Sequence, residues 1–328
     1  MKIFIPYQLF PVGGPITFLT ALTTALKKRG HAVTHTFTPN FDCLFIIDAC
    51  SLIYPLYARA RGKKIIQRLD GVYYPALPWP HSQTYRLKDL HKRIIHNYFA
   101  DHVVYQSEFS RQACHTMLGQ PHSASSVIRN GVATPALARP PHDNYLIRLV
   151  THASFRDPEQ IAPLRDALLQ LPPNFTLTII GPHTPRLHEL IRQLKTNPRI
   201  YYQDAVKHQD ISHSLQQHDI YVFSQLSACP NSVLEALAAG LPVVAYARGG
   251  LPELVEPGRS GELVPLRPHN PFYDRYEFKQ TDAQAFSSAI QKVAQNLSAY
   301  STTARASAES KFSLANMVAS YLLILTRA

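Results

Sequence analysis

Apolar residues recur along this chain in short β-favouring runs separated by stripes of helical period, and the sequence runs through that alternation twice. In the first half, residues 2–6, 31–37, 42–48, 63–69, 102–106 and 127–132 read as strands. Between them, residues 17–29 place Phe18, Leu19, Leu22 and Leu26 on one helical face, and 51–61 and 85–98 are also helical. Ser107 is placed to cap a further helix. In the second half, strands are expected at 145–150, 175–181, 199–202, 219–224 and 243–245. Helices are expected at 161–171, 185–196, 230–239, 251–255, 282–297 and 303–326, and a polar surface loop at 267–281. Strands alternating with helices imply parallel sheets and an α/β fold. Residues 133–144 carry Pro135, Pro140 and Pro141 with little apolar periodicity, which marks a linker. The expected domains are 1–140 and 145–328, with the last helix crossing back to the first.

Residues 219–262 organise the chain. Tyr221, Val222 and Phe223 form a buried strand, and Val233, Leu234, Leu237 and Ala238 form a helical apolar face. Gly240 and Pro242 stop that helix, and Val243–Ala245 begin the next strand. Open α/β sheets bind ligands beyond the carboxyl ends of their strands. The helix start at Pro230, Asn231 and Ser232 directs amides and a positive dipole end outward, which suits an anion. Gly249 and Gly250 let a second backbone segment approach the same ligand, and Glu235 offers an acceptor for sugar or ribose hydroxyls. An ordinary βαβ unit with a solvated glutamate accounts for this spacing equally well.

The string at 227–245, Ser-Ala-Cys-Pro-Asn-Ser-Val-Leu-Glu-Ala-Leu-Ala-Ala-Gly-Leu-Pro-Val-Val-Ala, with Gly-Gly-Leu-Pro-Glu-Leu-Val at 249–255, resembles the donor site of glycosyltransferase family 4. Gln-Ser-Glu-Phe-Ser at 106–110 and Ile-Arg-Asn-Gly-Val at 128–132 resemble the end of that family's first domain. The resemblance covers most of residues 3–264. It implies the GT-B fold, two Rossmann-like domains facing across a cleft, and transfer of a sugar with retention from a nucleotide sugar, a UDP- or GDP-sugar, with no tightly bound metal. It assigns Glu235 to the nucleotide ribose, Arg156 to the donor diphosphate, Val206 to the base, and Gly13 and Gly14 to the loop beside diphosphate and acceptor. Two positions depart from the family. Ser227 stands where a glutamate contacts the donor sugar, and Glu159 stands where a lysine often meets the diphosphate. Asp70, in Arg-Leu-Asp-Gly-Val at a strand end, is either a turn residue or a carboxylate that acts as base or orients the acceptor.

Residues 1–145 hold 16 Lys and Arg against 7 Asp and Glu, most of the chain's net charge of +11. An anionic partner, such as a membrane surface or a phosphorylated acceptor, fits that excess. Helix 85–98 carries Arg86, Lys88, Lys92 and Arg93 beside Leu87, Leu90, Ile94 and Ile95. Core packing with a solvated basic face is the commoner explanation, and contact with an anionic membrane is the sharper one. Nucleic acid is not expected as a partner, since no nucleic-acid motif occurs. No apolar run approaches a membrane span, residues 1–6 do not read as a signal peptide, and the four cysteines show no metal spacing. These features predict a cytoplasmic protein, with peripheral contact at the inner membrane surface as a further expectation. The acceptor is expected to be a glycan or a lipid-linked sugar of cell-surface polysaccharide or glycoconjugate synthesis. A GT-B-like protein that binds a nucleotide sugar or glycan without transfer is the alternative.

Overall fold

The computed structural model describes residues 1–7, 14–77, 83–135 and 145–326, with backbone alone at 14–16 and 83–86. The chain divides into two compact units. Unit 1 comprises Met1–Gly131, Phe272–Arg275 and Leu314–Ala328, and unit 2 comprises Val132–Pro271 and Tyr276–Ser313. Unit 1 runs β1 (Lys2–Phe4), α1 (Gly14–Lys28), β2 (Ala32–Thr34), β3 (Cys43–Ile47), α2 (Ile53–Ala60) and β4 (Lys64–Leu69). It continues through α3 (Gln83–Ile94), β5 (His102–Tyr105), α4 (Glu108–Leu118) and β6 (Ala124–Val127). Unit 2 runs β7 (Ile147–His152), α5 (Ala162–Leu168), β8 (Phe175–Ile180), α6 (His188–Leu194), β9 (Ile200–Gln203) and α7 (His208–Gln216). Then follow β10 (Ile220–Phe223), α8 (Asn231–Ala238), β11 (Val243–Tyr246), β12 (Gly261–Val264), α9 (Gln280–Gln295) and α10 (Leu297–Lys311). The last helix, α11 (Leu314–Thr326), belongs to unit 1.

Among the described residues the strands form two six-stranded sheets, ordered β2-β1-β3-β4-β5-β6 and β12-β11-β10-β7-β8-β9, and every pairing is parallel. Central strands are therefore apolar on both faces, and all five residues of β3 and all four of β10 are buried. Phe18, Leu19, Leu22 and Leu26 of α1 pack on Ile3, Phe45 and Ile66, together with Met317, Val318, Tyr321 and Leu325 of α11. Val233, Leu234 and Leu237 of α8 pack against Tyr221, Phe223 and Val243.

Several elements differ from the sequence reading. The strand expected at 127–132 lies earlier, at Ala124–Val127, and the Asn130-Gly131 stretch leaves the sheet. Residues 251–255 form only a single 3-10 turn, Leu251–Glu253, too short for an α-helix after the proline at its start. The helix expected over 303–326 breaks at 312–313, where Val132 bridges to Ser313, so α10 and α11 are separate. Helix α3 gives way to a π-helical turn, Ile95–Phe99, and Leu87 and Leu90 are not core residues but 56% and 50% exposed. Cys43, Cys50, Cys114 and Cys229 form no disulfide among the described residues, and burial pushes the thiols of the first three up to about 12.

Candidate donor site and the polar end of unit 1

In unit 2 the residues singled out around α8 gather at the carboxyl ends of β7, β10 and β11. Pro230 is the N-cap of α8, at φ −69° and ψ 119°, and its own side chain makes no capping hydrogen bond. The first amides of a helix have no intrahelical acceptor, so Asn231 and Ser232 present a partial positive charge there. Glu235 lies one turn further. Its carboxylate Oε2 is 2.8 Å from His152 Nε2 and its Oε1 is 3.8 Å from His208 Nδ1. The Glu235 side chain is 17% exposed, so it is not the freely solvated glutamate of an ordinary βαβ unit.

Gly249 and Ser227 meet backbone to backbone. Gly249 has φ +60°, and a Cβ there would stand 2.3 Å from the Ser227 carbonyl oxygen. The Gly250 amide donates to that same oxygen at 2.9 Å. Only glycine combines the left-handed conformation with this approach, so the loop after β11 is pinned to the loop after β10.

Arg156 is exposed on a loop whose backbone is fixed from several sides. The Arg156 amide donates to Gln160 Oε1, Phe155 N donates to Pro182 O, and Asp157 makes a capping box with Gln160. Ser224 Oγ donates to the carbonyls of Glu159 and Gln160, and Gln160 Nε2 donates to Gln225 Oε1 at 2.7 Å. Gly181, at φ +133°, admits this loop, since a Cβ there would fall 2.0 Å from Ala153 O. Glu159 is half-buried in the first turn after Arg156, its amide held by Asp157 Oδ1 at 3.1 Å. Val206 is half-buried against the α8 core cluster. The histidines around Glu235 escaped the sequence reading. His152 ends a parallel strand, the usual ligand side of such a sheet, and that position was the available signal.

Unit 1 holds a second polar group. Arg68 is 1% exposed and ion-paired with Asp70, and it donates to Tyr321 Oη at 3.1 Å and to Asn130 Oδ1 at 2.8 Å. Its guanidinium lies 3.7 Å from the Phe18 ring centroid. Gln106 Nε2 donates to Asp70 Oδ1 at 3.0 Å, while Asp70 Oδ2 has no hydrogen-bond partner among the described residues. Asp48 has φ 57°, a left-handed backbone that aspartate tolerates better than most residues. Its carboxylate accepts from the Asp70 amide at 2.9 Å and lies 3.6 Å from Lys92 Nζ. Burial works against the Lys92 charge, yet Asp48 and Asp89 outweigh it and hold its pKa above the ordinary lysine value. Arg68 and Gln106 thus hold the Asp70 carboxylate, and Asp48 accepts from its backbone amide. Gly13 lies outside the described residues, and Gly14 opens α1 with its backbone alone described. Among the described residues, no group of three or more His, Cys, Asp or Glu is placed to hold a metal ion, and no helix is long and apolar enough to cross a membrane.

Known proteins resemble the chain in sequence and in fold. A 129-residue stretch is 32% identical to WcaL of Salmonella typhimurium, provisionally named a colanic acid biosynthesis glycosyltransferase, covering 36% of this chain and 32% of that protein. The chain therefore matches about a third of that relative's length. Among solved structures, Alr3699/HepE of Anabaena in complex with UDP and glucose superposes with a TM-score of 0.72 at 19% identity, over 99% of both chains. Sucrose-phosphate synthase of Thermosynechococcus elongatus superposes with a TM-score of 0.76 at 15% identity, over 99% of this chain and 98% of that one. Both superpositions cover nearly the whole chain and, with the two parallel sheets, give it the GT-B fold. Residues 148–296, which contain the whole α8 site, match the family of glycosyl transferases group 1.

Proposed function

We propose that this chain is a glycosyltransferase that moves a sugar from a UDP- or GDP-sugar to a glycan or lipid-linked acceptor with retention, in cell-surface polysaccharide or glycoconjugate synthesis. Within group 1, the 227–255 string favours family 4. The observation that carries the reading is the gathering of the α8 start, Glu235 and the Ser227–Gly249–Gly250 contact at one end of the unit 2 sheet. Each part matches one part of a nucleotide sugar. Glu235 accepts from the ribose hydroxyls, Val206 offers backbone groups to the base, and Ser227 with Gly249 and Gly250 bounds the sugar. The amides of Asn231 and Ser232 and the Arg156 guanidinium face the diphosphate, where negative charge grows as the bond to the sugar breaks. The anomeric carbon loses its bond to the diphosphate oxygen and gains one to the acceptor oxygen. The acceptor proton passes to the departing diphosphate, so no protein nucleophile is required. In unit 1, Asp70 fits a hydrogen-bond acceptor that orients the acceptor hydroxyl, and the sequence resemblance assigns Gly13 and Gly14 to the loop beside diphosphate and acceptor.

Arg156 and the helix amides supply the stabilisation that a metal would otherwise provide. The test is release of UDP or GDP from UDP-glucose, UDP-N-acetylglucosamine and GDP-mannose, with and without oligosaccharide acceptors. Release that falls about 100-fold in kcat/KM in Glu235→Ala supports the reading, as expected for two lost charge-assisted hydrogen bonds. Binding without release would establish the non-transferring alternative. Unchanged turnover in Asp70→Asn would remove the role given to Asp70.

A membrane-facing role is favoured by a separate observation. Leu87, Leu90 and Tyr98 are 56%, 50% and 70% exposed along α3 and its π-helical turn, and Lys88 and Arg93 are exposed beside them. Leucines flanked by cations suit the interface of an anionic bilayer, where a lipid-linked acceptor would be found. Co-sedimentation with phosphatidylglycerol vesicles, lost in Leu87→Glu/Leu90→Glu, would support this. Equal recovery with phosphatidylcholine vesicles would oppose it.

A further inference from the structure

We infer that His152 is a positioning residue for Glu235, setting the carboxylate so that both of its oxygens can meet the vicinal hydroxyls of a ribonucleotide. The inference rests on the donor-site reading of α8. His152 is the last residue of β7, an interior strand of the unit 2 sheet, so its backbone is fixed. Tyr221 Oη holds it further, accepting from the His152 amide at 3.3 Å and donating to the His152 carbonyl at 3.1 Å. The Tyr221 ring meets the imidazole edge-on, with centroids 5.5 Å apart.

The imidazole faces Glu235 through Nε2, 2.8 Å from Oε2. A carboxylate only accepts, so Nε2 must carry the proton in this contact. The other ring nitrogen, Nδ1, is buried and has no hydrogen-bond partner among the described residues. An orphaned buried nitrogen costs stability, and an apolar residue would fill the same strand end without that cost. The feature gained is orientation. A glutamate has three rotatable side-chain bonds and, left alone, spreads over many rotamers. One hydrogen bond from a strand-anchored ring fixes the carboxylate plane and leaves lone pairs on both oxygens for a diol. His208, on α7, approaches Oε1 only to 3.8 Å and is 65% exposed, so it does not fix the plane in the same way.

The test measures hydroxyl discrimination. UDP, GDP and ADP are titrated calorimetrically, and the tightest binder is compared with its 2′,3′-dideoxy counterpart. Wild type is expected to lose about 30-fold in affinity without the hydroxyls, because the carboxylate is left unpaired. His152→Ala is expected to reduce that ratio to about 3-fold, and His152→Gln, whose amide N–H can occupy the Nε2 position, to restore most of it. His152→Asn reaches only the Nδ1 position and is expected to behave like the alanine. A purely structural histidine would lower the melting temperature of all three variants without changing the ratio. If folded His152→Ala keeps the wild-type ratio, or if Gln and Asn give the same ratio, the inference is overturned while the donor site stands. If wild type shows no discrimination, the ribose role of Glu235 fails, and the inference fails with it.

Discussion

The two units place their notable polar groups at the same kind of location, the carboxyl ends of parallel strands, but assemble them differently. In unit 2, Ser227, Gly249 and Gly250 lie within 24 residues of one another in sequence and meet through backbone atoms, while Glu235 between them reaches His152 and His208 through its side chain. In unit 1, the Arg68 network joins Asp48, Asp70, Gln106, Asn130 and Tyr321, and side chains make nearly all of it. A site built from backbone approach depends on glycine and helix ends, which a local sequence records. A site built from buried side chains depends on the fold bringing distant residues together. The first is suited to a ligand that supplies its own charge. The second is already largely neutralised from within, with Asp70 Oδ2 as the acceptor left over.

The largest expected effect separates the two. Arg68→Met strips the cation from a buried pair and leaves Asp70 uncompensated, which is expected to cost about 3–5 kcal/mol in urea unfolding. A cost under about 1 kcal/mol would mean that the network does not hold unit 1 together. Gly249→Ala should come next, at about 2 kcal/mol, because it imposes a left-handed alanine against the Ser227 carbonyl. Nucleotide binding should fall with it, and a variant that binds normally would show that the loop contact does not shape the site. Asp48→Gly should be the mildest. It relaxes the backbone but removes the acceptor of the Asp70 amide, and hydrogen exchange at residues 69–71 should rise while global unfolding shifts by about 1 kcal/mol or less.

The units should also differ in acid. His96, His102 and His115 in unit 1 are held below the ordinary value of 6.5, in each case mainly by burial, and His183 is their counterpart in unit 2. His96 and His115 both contact the Tyr105 hydroxyl, at 2.7 and 3.3 Å. A depressed folded pKa gives stability that is complete above the unfolded value and declines as pH falls from about 6.5 toward the folded value. Hydrogen exchange between pH 7.5 and 5.5 should therefore loosen β4 and β5 first. His96 Nδ1 donates to Asn97 Oδ1, so the neutral ring accepts from Tyr105 Oη at Nε2; His96→Gln keeps an acceptor toward Tyr105 without titrating and should shrink that loosening.

This contrast also explains what the sequence could show. Strand and helix order followed from apolar period, because parallel strands buried on both faces carry continuous apolar runs. The α8 site was legible because Pro230, Glu235 and the glycine pair are local signals. His152 was not, since it lies 83 residues from Glu235 and is joined to it only by the sheet. Tyr321 on Arg68 and the left-handed Asp48 escaped for the same reason. Leu87 and Leu90 had the period of a core face, and period alone does not say whether a partner covers that face. The break between α10 and α11 depends on the Val132–Ser313 bridge, which joins residues 181 positions apart.

Titration of the purified chain and of Glu235→Ala with UDP and GDP by calorimetry addresses the donor site directly. The account predicts that wild type binds one of the two, and that Glu235→Ala weakens this by about 100-fold while its ligand-free melting temperature stays within a few degrees. Equal binding by both proteins, or no binding of either nucleotide to wild type, would contradict the assignment of the α8 site to a nucleotide-sugar donor.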